Sequence, residues 1–457
     1  METLSETTPT TLVTFYGTTP STMATISETT PSSATATRPP SMAWIGLDDT
    51  DSLDSGCTTW DFHLLLTHLE DSGFTVVGHP NLVRLWPFAP ERTRGNAALS
   101  AEILSEPSTN SLSEVLEEWF NNQYNSNTSS ENVVGSESAS PVLVYTETRF
   151  PEDWYWNAVR KYVNPNDRLN DVSKVSSAIY WTKKDENNSS DCIRGLVGAS
   201  SAIAWRGDND FTWESTTWRM AENIGKKRKV PSVLVGEMSD KFPLTILNRD
   251  PNAGDSLITP RTPCPVLYGI RAERSKVAEQ AHLWLQSNAD VESAIAMRVH
   301  RSNQATDDHI EQTCSGIVIS KVREVKGGHA SLQVFDGHKH STIVAFKQGG
   351  QVNRLLKSLF VGDLIQWRGL TSPNNEIHLE SIMCSEAVPR SLSRPNCKCG
   401  GKLCRQGVGQ PLGCEKCANT QESVWVSTEF ESRGQWVEPP CSNRRHLAKP
   451  LNRQAKG

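Results

Sequence analysis

A short apolar run, Trp44-Ile45-Gly46-Leu47, ends in three acids within four positions, Asp48, Asp49 and Asp51, and this juxtaposition constrains the chain more than any other feature. A polar loop follows, then Thr58, Thr59 and a helix-like segment from Phe62 to Leu66. A strand that delivers several carboxylates at its carboxyl end, beside a hydroxyl-rich helix start, has the layout of a Mg²⁺-phosphate site. Crowded carboxylates repel one another unless a cation lies among them. Thr50, Ser52, Gly56 and Thr59 fall where hydroxyls and backbone N–H groups suit anionic oxygens. An Asp/Ser-rich turn that caps a helix accounts for the same residues without any ligand.

A second motif lies downstream. Arg92-Thr93-Arg94-Gly95-Asn96 follows the apolar Leu82-Val83-Arg84-Leu85-Trp86. Arg94 and Asn96 are candidate phosphate contacts, with Gly95 letting backbone approach, although a turn explains this stretch equally well. Taken with the acids, the pair suggests ATP with Mg²⁺ held by Asp48, Asp49 and Asp51. The chain has no Gly-x-x-x-x-Gly-Lys-Ser/Thr and no protein-kinase signature, so the nucleotide fold would be a different one.

Five of the 11 cysteines crowd between Cys397 and Cys417, a metal pattern in a reducing compartment and not a disulfide framework. Cys397, Cys399, Cys414 and Cys417 are the expected Zn²⁺ ligands of a zinc ribbon. The first pair is one residue short of the usual gap, which makes Cys404 a substitute ligand to consider. Cys192, Cys264, Cys314, Cys384 and Cys441 are scattered and read as structural.

The 457 residues allow roughly three or four domains. Residues 1–40, rich in Thr, Ser and Pro, are expected to be unstructured, with Met42 an alternative start. Residues 41–185 form a first folded region with a polar insertion at 105–140. Strands are expected at Phe74–Val77 and Val142–Tyr145, and helices at Leu112–Phe120 and Trp154–Tyr162. Residues 186–305 read as a small α+β sandwich, with a helix near Thr212–Asn223, a strand at Ser232–Val235 and a helix over Arg274–Asn288. Residues 311–388 carry five strand signals with one helix, Val352–Phe360, between the third and fourth, the order of an OB-fold β-barrel. Residues 394–457 hold the ribbon and a basic tail.

A net charge of −6 does not advertise nucleic-acid binding, yet Arg444, Arg445 and Lys449 concentrate basic charge near the C-terminus. They are the expected phosphate contacts of an OB-fold and ribbon that grip RNA. Arg323, Lys326, Lys347, Arg354 and Lys357 add to them, with Phe335, Phe346 and Trp367 as possible base-stacking rings. No apolar run of about eighteen residues and no leader pattern is present, so a cytoplasmic protein is expected.

These motifs occur together in one family. Ile45-Gly-Leu-Asp-Asp-Thr-Asp-Ser52 with Gly56-Cys-Thr-Thr59, Thr93-Arg-Gly-Asn96, Pro263-Cys-Pro-Val-Leu-Tyr-Gly-Ile-Arg271, the OB-fold order, the ribbon and Arg444-Arg-His-Leu-Ala-Lys-Pro-Leu451 resemble archaeal tRNA(Ile) 2-agmatinylcytidine synthetases. The resemblance implies a multidomain α+β chain: a kinase-like α/β domain, a ferredoxin-like domain, an OB-fold and a zinc ribbon. It implies ATP-dependent joining of agmatine to C2 of the wobble cytidine in an isoleucine tRNA with anticodon CAU, so that AUA is decoded. It further implies cleavage of ATP to AMP and phosphorylation of Thr58, with no obligatory protein partner. Agmatine needs a carboxylate for its guanidinium, and Glu214 and Asp208 are candidates.

Two other readings use the same residues. Asp49-Thr-Asp51 fits a haloacid-dehalogenase-like phosphatase, with Gly207-Asp-Asn-Asp210 a weak match to its later acid pair. The OB-fold and ribbon alone fit a non-catalytic RNA-binding protein.

Overall fold

The computed structural model describes residues 41–51, 56–90, 96–106, 111–125, 139–175, 177–182, 193–390, 392–423, 426–427 and 430–454, and a short strand, Val13–Phe15. Ser52, Arg94, Gly95 and Cys192 lie outside them, as does most of the Thr/Ser/Pro-rich tail. The chain divides into two compact units: residues 1–309 with 445–450, and residues 310–444 with 451–457. Among the described residues no helix is long and apolar enough to cross a membrane.

Unit 1 is built on a nine-stranded sheet in the order β1-β6-β5-β2-β4-β3-β9-β7-β8. The strands are β1 (Val13–Phe15), β2 (Ser41–Asp48), β3 (Thr75–Arg84), β4 (Ala97–Ser105), β5 (Val142–Thr146), β6 (Ser177–Trp181), β7 (Thr212–Arg219), β8 (Val266–Ala272) and β9 (Ala294–Ser302). Neighbours pair antiparallel except β3 and β9, whose short parallel ladder, Asn81 opposite Arg301, joins the two halves. Alternation along β2 sends Ala43, Ile45 and Leu47 into a core with helices α1 (Thr58–Asp71) and α2 (Leu112–Tyr124). Helices α3 (Asp153–Arg160), α4 (Pro165–Val172) and α5 (Gly195–Ala204) follow. α5 packs on the opposite face, where Leu196, Ala199, Ala202 and Ile203 meet Val83, Val142, Val144 and Ile179. Each fully buried Leu or Ile here contributes about 1.5–3 kcal/mol of apolar transfer.

Two expectations fail in the second half. Thr212–Arg219 is strand β7 and not a helix, because Ser215, Thr216 and Thr217 alternate within a ladder buried between β8 and β9. Ser232–Lys241 is helix α6 and not a strand; Pro231 precedes it, and Val235 and Met238 lie on one helical face. α6 and α7 (Ser275–Gln286) cover β8 through Val235, Met238, Ala281 and Leu285.

Unit 2 holds β10 (Cys314–Val318), β11 (Arg323–Glu324), β12 (Ala330–Phe335), β13 (His340–Ala345), α8 (Gln351–Ser358), β14 (Leu364–Thr371) and β15 (Glu376–Glu386). Their order is β10-β14-β15-β13-β12-β11, with a further β10–β12 pairing. Val352, Leu355 and Leu356 of α8 seal a core of Leu332, Val334, Ile343, Ile365 and Ile382. Trp367 belongs to that core at 1% exposure, so it is not a stacking surface. Asp363 is buried and fully used: Arg390 pairs with it at 2.6 Å, and the Phe360 and Val388 N–H groups donate to it. Beyond lie β16 (Leu392–Ser393) and β20 (Val426–Ser427), paired with each other, and a three-stranded sheet of β17 (Leu403–Arg405), β18 (Leu412–Cys414) and β19 (Thr420–Gln421).

Candidate active site and metal centre

The acids close β2, the strand paired on both sides by β4 and β5. The chain turns at once through Asp49, whose φ of 57° lies in the left-handed region that side chains other than Gly rarely adopt. The Ser140 N–H donates to the Asp49 carbonyl at 3.1 Å, and the Arg194 Nε donates to the Asp49 carboxylate at 3.2 Å. Two residues on, the Thr58 hydroxyl donates to Asp51 Oδ1 at 3.0 Å. Thr58 is the first residue of α1, and Cys57, its N-cap, makes no side-chain capping bond. First-turn N–H groups therefore accompany a hydroxyl that is already bonded to a carboxylate. Thr59 is held from another strand, by Trp218 Nε1 at 3.3 Å.

The electrostatics follow from crowding. Burial, then the charge of Asp49, holds the Asp48 carboxyl well above the usual carboxylate range. Asp61, one turn into α1, is pushed up to about 7 by burial and receives the Tyr124 hydroxyl at 3.2 Å. Burial lifts the Cys57 thiol to about 12, which makes it an inert neighbour of Thr58.

Glycines bring α5 against this strand end. A Cβ on Gly46 would lie 2.4 Å from the Ala199 carbonyl oxygen, one on Gly195 2.7 Å from the Asp48 carbonyl oxygen, and one on Gly198 1.7 Å from Asp48 Oδ2. Sequence reasoning alone does not pick out Arg194, Ser140, Trp218 or the α5 glycines as site residues. The signal available is the spacing of Gly195, Gly198 and Ala202, which marks a helix face made for close approach.

Of the other candidates, Thr50 is buried beside the acids and Gly56 has a φ of 75° at the loop's end. Asn96, at φ 44°, donates from Nδ2 to the Trp86 carbonyl at 2.9 Å and shapes a turn. Glu214 is buried and takes a hydrogen bond from Gln304, which in turn contacts His446 Nδ1 at 3.2 Å. Arg444 pairs with Glu438, and Lys449 pairs with Asp210 at 2.9 Å. Arg445 lies over the Phe88 ring at 5.2 Å, and Leu447 and Ala448 are buried. Residues 445–450 are thus a docked part of unit 1, and Arg444 and Lys449 would have to give up ion pairs to touch phosphate.

In unit 2 the sulfurs of Cys397, Cys399, Cys414 and Cys417 all lie within 4.8 Å of one another, the one such metal-ligand group among the described residues. Neighbouring sulfurs stand 3.5–3.6 Å apart. A tetrahedron of thiolates about 2.3 Å from Zn²⁺ has edges of about 3.8 Å, so the set fits zinc. The Lys416 N–H and Asn419 Nδ2 point at Cys414 and Cys397, as thiolate ligands require. The Cys404 thiol donates to Glu415 Oε1 at 2.6 Å, and Cys404 stands outside the group of four sulfurs. The apolar core beneath is small: Cys397, Leu403 and Leu412, with Cys414 and Cys417 packed against it.

The TiaS TCKD domain model matches residues 44–184 and the TiaS FLD domain model residues 194–309. The tRNA(Ile) 2-agmatinylcytidine synthetase TiaS of Methanopyrus kandleri is 31% identical over 444 residues, covering 90% of this chain and 96% of that protein. Its Methanocaldococcus jannaschii counterpart is 28% identical over 90% of this chain and 98% of its own. A crystal structure of TiaS in complex with its isoleucine tRNA and ATP superposes with a TM-score of 0.72 at 26% identity, covering 90% of this chain and 97% of that one. A complex of TiaS with the same tRNA, AMPCPP and agmatine gives 0.72 at 25% identity over the same shares.

Proposed function

The chain belongs to the tRNA(Ile) 2-agmatinylcytidine synthetase family, and we propose on that footing that Asp51 and Thr58 are the centre of its phosphoryl chemistry. The enzyme uses ATP to join agmatine to the wobble cytidine of its isoleucine tRNA, forming 2-agmatinylcytidine. A carbonyl oxygen at C2 is a poor leaving group; a phosphoryl group on it makes departure feasible, and the agmatine amine then takes its place. The observation that carries the residue assignment is the 3.0 Å bond from the Thr58 hydroxyl to Asp51. Asp51 accepts the Thr58 proton as that oxygen attacks the terminal phosphorus of ATP, whose phosphoanhydride bond breaks to release the rest of the nucleotide, and the first-turn N–H groups of α1 receive the phosphate oxygens.

Mg²⁺ bound with nucleotide needs one or two protein carboxylates and not a full cage. Asp48 and Asp51 would supply them, since burial, and after it the charge of Asp49, raises the Asp48 carboxyl, and a cation favours its charged form. When bound, the ion neutralises charge on the transferring phosphoryl group. Thr50, Ser52, Gly56, Thr59, Arg94, Gly95 and Asn96 are proposed around the nucleotide, with Asn96 acting through the turn it shapes. Asp49, already paired with Arg194, orients the loop. Zn²⁺ is assigned to the four cysteines.

We read residues 41–185 as the kinase-like domain, 186–305 as ferredoxin-like, 311–388 as an OB-fold and 394–457 as the ribbon with the C-terminal segment. The strand order and the β10–β12 pairing support the OB-fold. Arg444, Arg445 and Lys449 remain proposed tRNA contacts, reached by exchanging their present partners for phosphate. The test is labelled agmatine with an unmodified transcript of the isoleucine tRNA that carries anticodon CAU. ATP-Mg²⁺-dependent label at the wobble cytidine is expected; a zinc-loaded preparation that binds tRNA but incorporates none would favour an RNA-binding module.

A further inference from the structure

Resting on the OB-fold reading, we infer that Phe346, set between His329 and His378, is a stacking platform for an unpaired nucleotide of the tRNA outside the base that is modified. An OB-fold takes single strands on the face of its second and third strands, between the loop joining strands one and two and the loop joining strands four and five. Here those strands are β12 and β13, and the loops are residues 319–329 and 372–375. Phe346 follows β13 in register with half-buried Thr342 and buried Val344, the row opposite to Ile343 and Ala345. His329 ends the first loop, and His378 lies on β15 three residues beyond the second, paired with Val344.

Both imidazoles pack against the Phe346 ring with their planes near perpendicular to it, at centroid distances of 5.3 and 4.8 Å, and so fix its orientation. Phe346 is 39% exposed, although it directly follows a strand whose last three residues are buried. The Lys347 N–H donates to His329 Nδ1 at 3.1 Å and fixes that ring. Cationic side chains stand nearby: Lys347 lies along Gly328, and the first loop exposes Arg323 and Lys326, whereas Lys357 is paired with Glu324. A half-exposed aromatic with basic side chains on its adjoining loop suits a base and its phosphates better than a protein strand, which would need unpaired backbone.

The test uses the full chain and the same unmodified tRNA transcript. Phe346→Ala is expected to raise both the tRNA Kd and the tRNA KM by about 5- to 150-fold, leaving kcat for agmatine incorporation unchanged. Phe346→Trp keeps affinity. Phe346→Leu, apolar but without a π face, loses it as Ala does. Wild-type Kd and KM in Phe346→Ala, or full retention in Phe346→Leu, overturns the platform. The Kd comparison stands without turnover, so failure of the wild type to incorporate agmatine counts against the enzymatic reading and leaves the platform separately decided.

Discussion

Thr58 and Asp51 lie seven residues apart and share one hydrogen bond, and both are legible because an apolar run stops so abruptly in acids and hydroxyls. Arg194, which holds Asp49 from 145 residues away, is not, since nothing local marks a partner supplied by another element. Asp61 also escapes a sequence reading: one acid on a helical face looks like a solvated charge until the fold buries it against Tyr124. Its carboxyl is raised from the ordinary 3.8 to about 7, so the folded chain keeps a proton there that the unfolded chain releases. The sign follows by linkage: Asp61's contribution is fully present below about pH 4 and is lost as pH rises through about 7. Asp61→Asn should therefore gain stability over wild type as pH rises across that window, by at most about 4 kcal/mol. Urea melts at pH 4 and 7 check this, and a pH-independent difference would refute it.

At the scale of elements, packing decides what composition cannot. Ser232-Val-Leu-Val reads as a strand by its branched residues, yet the run continues to Lys241 as one amphipathic helix after Pro231. Thr212–Arg219 carries the β-branched and aromatic residues of a strand, and burial of its Ser and Thr side chains is what a helical reading cannot accommodate. The α5 contact separates two glycines by their consequences. Gly46→Ala meets the Ala199 backbone and should destabilise by about 1–3 kcal/mol. Gly198→Ala meets the Asp48 carboxylate, which can swing away, so activity should fall much more than the melting temperature. Equal effects of the two on activity and melting would break that distinction. In unit 2, cysteine spacing is enough to pick out the four sulfurs that the fold gathers, and geometry leaves Cys404 outside them. Cys404→Ser should retain stoichiometric zinc by metal analysis and Cys399→Ser should lose it, with chelation unfolding the module alike in wild type and Cys404→Ser. Structural zinc contributes about 10–16 kcal/mol of apparent binding free energy in such modules.

For the whole molecule, the continuity of unit 1 is not readable from the sequence. A single sheet passes through β3 and β9, and residues 445–450 return to unit 1, where Leu447 joins its core. Sequence patterns report local period and say little about which distant strands share an edge. This fold brings Asp51 to the Thr58 hydroxyl, and in the proposed chemistry the threonine accepts a phosphoryl group from ATP. Phosphopeptide mass spectrometry of the purified enzyme after incubation with ATP-Mg²⁺ tests it most directly. Phosphate on Thr58 in the wild type, reduced at least about 100-fold in rate in Asp51→Asn, is the predicted result. An enzyme that incorporates agmatine with Thr58 unmodified throughout, or equal phosphorylation in Asp51→Asn, would contradict it.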